Sequence, residues 1–378
     1  MKNLPCKFTA MSRIIKFVPV LAACMLSLPL MMPAQTTFPL GETAPQGNVL
    51  RAGHLGRHIG DVERIIHFYH DTLGLGLQGQ RNEERRFFTT PGLLEFANTP
   101  DYAEFRAVIM PIPGTAAEAG KNEEMTIEAI EFRNMDRRQW VMGIQDIGSS
   151  HLVLMVRNLD SALEKLKAID AYIVTPGGKP VEVTPMYGSG KERSIVVRDP
   201  DGYPVRLVEL TPTPATTAPA DSNIIGARIS VTVDDLEASE ALYTSIVGPE
   251  LKFRNSPSFT KNEAYNQLWN TPGVEYRYGA ALIPGSPVYL EFVQFRGIEQ
   301  KRNKPILQDI GGAHVLFMAQ DADIVMERMN AAGMKTVALS NKPVYIGPTA
   351  PALFTQEMNN FFFEFICRSP VQKPAAPK

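Results

Sequence analysis

From Gly148 to Leu210 the chain sets out a pattern of apolar and polar positions that its other parts repeat. His151-Leu-Val-Leu-Met-Val156 is a continuous apolar run, which predicts a buried strand. Asp160 to Ile169 follows with Ala162, Leu163, Leu166 and Ile169 on one helical face and Glu164, Lys165 and Lys167 on the other. Three strand-like segments complete the unit: Tyr172–Val174, Arg193–Val197 and Val205–Leu210. The last two are joined by Asp199-Pro-Asp-Gly202, a hairpin signal because glycine accepts the positive φ of a tight turn.

The same order of one strand, one helix and further strands begins near Val49. His54 stands in its first strand, and Asp61 is placed to cap the helix that follows. Val62, Ile65, Ile66, Tyr69 and Leu73 form that helix's apolar stripe, stopped by Gly74. Phe105–Ile112 and Thr126–Phe132 read as later strands. "QDIGSSH" at 145–151 recurs as "QDIGGAH" at 308–314, Asn98-Thr-Pro100 as Asn270-Thr-Pro272, and Ile112-Pro-Gly114 as Ile283-Pro-Gly285. The chain is therefore read as an internal duplication: α+β, four βαβββ modules paired into two closed-sheet domains. The expected boundaries are 48–212 and 222–368, with 213–221 as a linker overlapping the Pro- and Thr-rich "TPTPATTAPA" at 211–220 and 369–378 as a loose tail.

The N-terminal 35 residues have a different character. Lys7, Arg13 and Lys16 precede an apolar run from Phe17 to Met32, the composition of a secretory signal. Cleavage near Ala34 is expected, with a lipid-modified Cys24 in Leu21-Ala-Ala-Cys24 as the alternative. Both readings place the protein outside the cytoplasm, periplasmic or secreted, and only a lipidated Cys24 would tie it to a membrane. Composition narrows the partners further. With 44% hydrophobic residues, 21% charged and a net charge of -2, nothing favours nucleic acid. Of three cysteines only Cys367 lies beyond the signal, so no internal disulfide framework is expected.

His151 opening a first strand, the "DPDG" turn with the strand after it, the helix end "HFYHDTLGLGL" and the closing strand "TIEAIEF" together resemble the vicinal oxygen chelate superfamily of glyoxalases, extradiol dioxygenases and fosfomycin- and bleomycin-resistance proteins. The resemblance implies modules closing in pairs around a site, with metal ligands on the first and last strand of each. Mapped within the first half, those positions are His54, Glu128, His151 and Arg206; within the second they are Arg228, Glu291, His314 and Glu364. His54, Glu128 and His151 make a set suited to a divalent ion such as Fe, Mn, Zn or Ni. Glu291, His314 and Glu364 are a poorer one. Arg206, where a glyoxalase I would carry its catalytic glutamate, is expected to face substrate or to pair with Glu128, and Arg228 to pair with Glu291 or Glu364. Glu209 cannot replace Arg206, since an odd offset points to the other face. His58, His67 and His70 are read as surface or strand residues, and Trp269, Phe361, Phe362 and Phe363 as core. The resemblance implies an exported metal-dependent enzyme, dioxygenase- or lyase-like, acting on a small oxygen-bearing molecule. The alternatives are a metal-free small-molecule binding protein of the bleomycin-resistance type and a structural protein whose domains serve oligomerisation.

Overall fold

A computed structural model describes residues 43–78, 86–121, 123–256, 258–346 and 350–369. The apolar leader with Cys24 and Ala34, and residues 370–378, lie outside the described residues. Four βαβββ modules are present, each opening with a strand: Val49–Ile59, Ser150–Val156, Ile224–Thr232 and Ala313–Asp321. Each first strand leads into a helix capped as its sequence requires. Asp61 accepts from the backbone of Glu63 and Arg64, Asn158 from Ser161, Asp235 from Ala238 and Asp321 from Asp323. The stripe read from Val62 to Leu73 is buried as expected, although the helix widens to a π-helical turn over His67–Thr72.

The strands curl into two mixed sheets, and their pairing departs from the sequence reading. The seven-stranded sheet runs Val344–Tyr345, Pro351–Gln356, Phe362–Ser369, Ala313–Asp321, Val49–Ile59, Thr126–Arg133, Glu104–Pro111. It joins the first module to the fourth. The nine-stranded sheet joins the second to the third through Ser150–Val156 against Ile224–Thr232. In both joints the first strands lie side by side and antiparallel. Domains of adjacent modules, 48–212 and 222–368, therefore do not close their own sheets.

The reason lies in the connections. Residues 134–149 leave the seven-stranded sheet and enter the nine-stranded one, and the two "QDIG" repeats fasten the crossings. Asp309 accepts from the Trp140 indole at 2.8 Å and from the backbone of Arg138 at 2.9 Å. Its counterpart Asp146 accepts from the backbone of Lys301 at 2.9 Å. The presumed linker is likewise a fixed part of the structure. It connects two strands of one sheet, Pro204–Thr211 and Ile224–Thr232. Thr216 Oγ1 donates to Ile225 O and Thr217 Oγ1 to Ala116 O.

The convex faces of the sheets and the module helices share one core, which holds Leu55, Ile65, Leu154, Leu163, Ile229, Ile246, Phe317 and Phe365 from all four modules. The "DPDG" turn is sealed into it. Asp199 forms a fully buried ion pair with Arg57 at 3.0 Å and accepts from Tyr69 at 3.1 Å. Its other oxygen accepts from the backbone of Asp201 and Tyr203. Gly202 holds the turn at φ 88°.

Candidate metal centre

On each curled sheet the concave face is set by strand alternation, which places every second side chain on one side. In the seven-stranded sheet that face carries His54, Gly56 and His58 from one strand. Glu128 stands opposite Gly56 on the parallel neighbour, His314 opposite Gly56 on the antiparallel one, and Glu364 lies one strand further out. A one-residue bulge between Ala52 and Leu55 sits at His54 and turns it toward the others. Gly56 leaves the room His314 needs: a Cβ there would lie 1.8 Å from its Cε1.

His54, Glu128, His314 and Glu364 thus converge, their ligand atoms all within 4.8 Å of one another. His54 Nε2 lies 2.7 Å from Glu364 Oε2, 3.0 Å from His314 Nε2 and 3.1 Å from Glu128 Oε2. His314 Nε2 is 3.0 Å from Glu364 Oε2. One imidazole proton cannot serve three such neighbours, whereas a cation among the four atoms would satisfy all of them. Two imidazoles and two carboxylates form a donor set that suits borderline divalent ions, so the residues fit a metal.

The electrostatics agree. Burial disfavours the charged form of His54, but the carboxylates of Glu128 and Glu364 outweigh it and raise its pKa. Burial likewise works against ionising Glu364, yet His54 and His314 hold its pKa at about 2. Burial lowers the pKa of His314. Behind it stands His58, its Nε2 3.2 Å from His314 Nδ1. Burial together with the neighbouring cationic groups keeps His58 well below its usual pKa, hence neutral. A neutral His58 can accept the His314 Nδ1 proton and so direct the His314 Nε2 lone pair into the cluster.

The cluster opens on a cavity of about 230 Å3 walled by Phe96, Phe105, Phe132, Phe354, Leu307 and Ile366. Glu128 is the most exposed of the four ligands, with 23% of its side-chain surface accessible.

The remaining sequence-derived residues gather in the other sheet. His151 and Arg206 from the second module face Arg228 and Glu291 from the third, so His151 shares no site with His54. Arg206 forms a buried ion pair with Glu192 rather than Glu128. Arg228 pairs with Glu291 at 3.4 Å, one of the two partners expected, and the Tyr187 hydroxyl also donates to Glu291. Burial and Arg206 push the His151 pKa down to about 3, and two guanidinium groups in this cluster oppose a divalent cation. Arg206 therefore does not face the cavity above His54. With modules one and four paired, the four-ligand pattern is complete, and no arginine interrupts it. His58, read as a mere strand residue, is the functional position the sequence reading missed. Its signal was the four-residue offset from His54, which sets both on one face.

The paired modules thus carry a two-histidine, two-glutamate cluster on one concave sheet, a group that could hold a metal ion. Residues 51–207 match the family model of the glyoxalase/bleomycin resistance protein/dioxygenase superfamily, in line with the resemblance read from the sequence. Glyoxalase I from Zea mays shares the fold at a TM-score of 0.53 and 15% identity, over 84% of this chain and 92% of that one. A point mutant of the same maize enzyme aligns at 0.53 and 16%, over 84% and 94%. A putative dioxygenase from Bacillus subtilis aligns at a TM-score of 0.48 and 14% identity, over 85% and 86%. No curated protein matches the chain.

Proposed function

We propose that this is an exported, metal-dependent enzyme of the vicinal oxygen chelate type, with a metal centre at His54, Glu128, His314 and Glu364. The observation that carries this reading is the convergence of those four ligand atoms at the floor of an apolar cavity. A divalent ion held there would supply Lewis acidity toward two adjacent oxygens of a substrate. The chain's own residues do the rest. His54 and His314 contribute neutral nitrogens, and His58 fixes the second of them. The carboxylates of Glu128 and Glu364 balance the cation's charge. Glu128, the ligand most open to the cavity, is the group best placed to take a proton from a substrate carbon or hydroxyl beside it. The aromatic walls exclude water and strengthen each of these interactions.

The sequence reading set the chain apart from glyoxalase I itself because Arg206 stands where that enzyme would carry its catalytic glutamate. That ground is gone, because Glu128 and Glu364 both stand on final strands of the functional pair. Dioxygenase-like and lyase-like chemistry both remain compatible with the donor set.

Elemental analysis of the purified protein, followed by titration with Fe(II), Mn(II), Zn(II) and Ni(II), tests the proposal. One equivalent per chain is expected for the wild type, and none for His314→Ala or Glu364→Gln. Failure of the wild type to take up any of the four ions overturns the enzyme reading in favour of a metal-free binding protein.

A further inference from the structure

We infer that the substrate of this centre is an uncharged, largely apolar molecule, about a single ring in size and aromatic or comparable in shape. The inference rests on the metal-site reading and adds to it the character of the occupant. Strand alternation is the origin of the cavity's polarity. On the strands Glu104–Pro111 and Thr126–Arg133, Phe105, Ala107, Glu128, Ile130 and Phe132 face the cavity. The basic side chains of the same strands point to the convex side and are paired there: Arg106 with Glu131 at 2.7 Å, Arg133 with Glu104 at 2.8 Å. Among the described residues lining the cavity, the ionisable groups are His54, His58, Glu128 and Glu364. None is a lysine or arginine.

Charge bookkeeping points the same way. A divalent cation, two carboxylates and two neutral imidazoles sum to zero. Among the described lining residues nothing is then left over to attract an anionic tail, and an unpaired carboxylate or phosphate in the cavity would lose its hydration without compensation. A peptide conjugate with several charged groups is disfavoured on the same ground. Size narrows the class further, because about 230 Å3 lies below the usual range of ligand pockets. A single ring with small substituents fits. The Phe96, Phe105, Phe132 and Phe354 side chains offer edges and faces to such a ring.

Two pairs of probes, matched in shape and differing in charge, test the inference. In the metal-loaded protein, 4-nitrobenzohydroxamate is compared with 4-carboxybenzohydroxamate, with retention of the metal checked after each titration. In the metal-free protein, nitrobenzene is compared with benzoate, so the cavity is read whether or not a metal binds. The nitro member of each pair should bind at least about ten-fold tighter, since only the carboxylate must be desolvated without a partner. Ala107→Lys places a cation on the cavity wall and should bring the carboxylate probes level or ahead. Equal or tighter binding of the carboxylates by the wild type overturns the inference, whether or not the lysine variant folds. Absence of metal uptake with a retained nitrobenzene preference overturns the proposed function and leaves the inference about the cavity standing.

Discussion

At the residue scale, the centre depends on two positions that hold no metal themselves. Gly56 lies under the His314 ring, and a methyl group there would occupy the space of the imidazole. Gly56→Ala should displace His314 and destabilise the fold by about 1–3 kcal/mol, as overpacking of a filled site does. Denaturant unfolding should show the loss together with weakened metal uptake; full uptake at wild-type stability would show that His314 is not held where described. His58 acts on the other side of the same ring. His58→Leu removes the acceptor for His314 Nδ1 and should weaken metal affinity by about 10–100-fold, whereas His58→Gln keeps an acceptor and should stay within a few-fold of wild type. Isothermal titration of metal into both variants separates orientation of the ligand from simple packing, which either side chain could provide. His151→Ala, by contrast, should leave metal stoichiometry unchanged, because its imidazole lies in the other sheet beside Arg206.

These residues also show what was legible in the sequence. His54, Glu128, His314 and Glu364 were all candidates from their places on first and last strands, a local property. Which of them meet is a non-local property. His151 was drawn in because nearest modules were expected to pair, and two guanidinium groups confront it instead.

At the scale of elements, the Asp61 cap, the module order and the hairpin at Gly202 were legible because each depends on a few neighbouring residues. The role of the "DPDG" turn was not. Asp199 does local work by accepting from two backbone groups of its own turn, but it also closes an ion pair with Arg57 of the first module. Both partners are fully buried, so removing one leaves the other charged and unpaired. Asp199→Ala should cost about 3–5 kcal/mol, read as a lowered unfolding midpoint. The double variant Asp199→Ala with Arg57→Met should recover part of that loss. If the single variant unfolds like the wild type, the turn is not a tie between the sheets.

At the scale of the whole molecule, the duplication was legible from its repeats, while the exchange of partners was not. Nothing in a strand's composition says which of several similar edges it will join. The exchange has a direct test. Proteolysis within 212–221 should yield two fragments that elute together from a sizing column and part only in denaturant, since each sheet contains strands from both sides of the cut. Fragments that separate in native buffer, each compact, would mean that each half closes its own sheet after all.

The ligands His54 and Glu364 are separated by 310 residues. Synthesis delivers a chain from its N-terminus, so His54 and Glu128 wait through most of the polypeptide before His314 and Glu364 exist to meet them. A product broken off before the fourth module carries only His54 and Glu128 of the four ligand residues. On the proposed function, metal uptake would therefore report that a chain extends at least through Glu364.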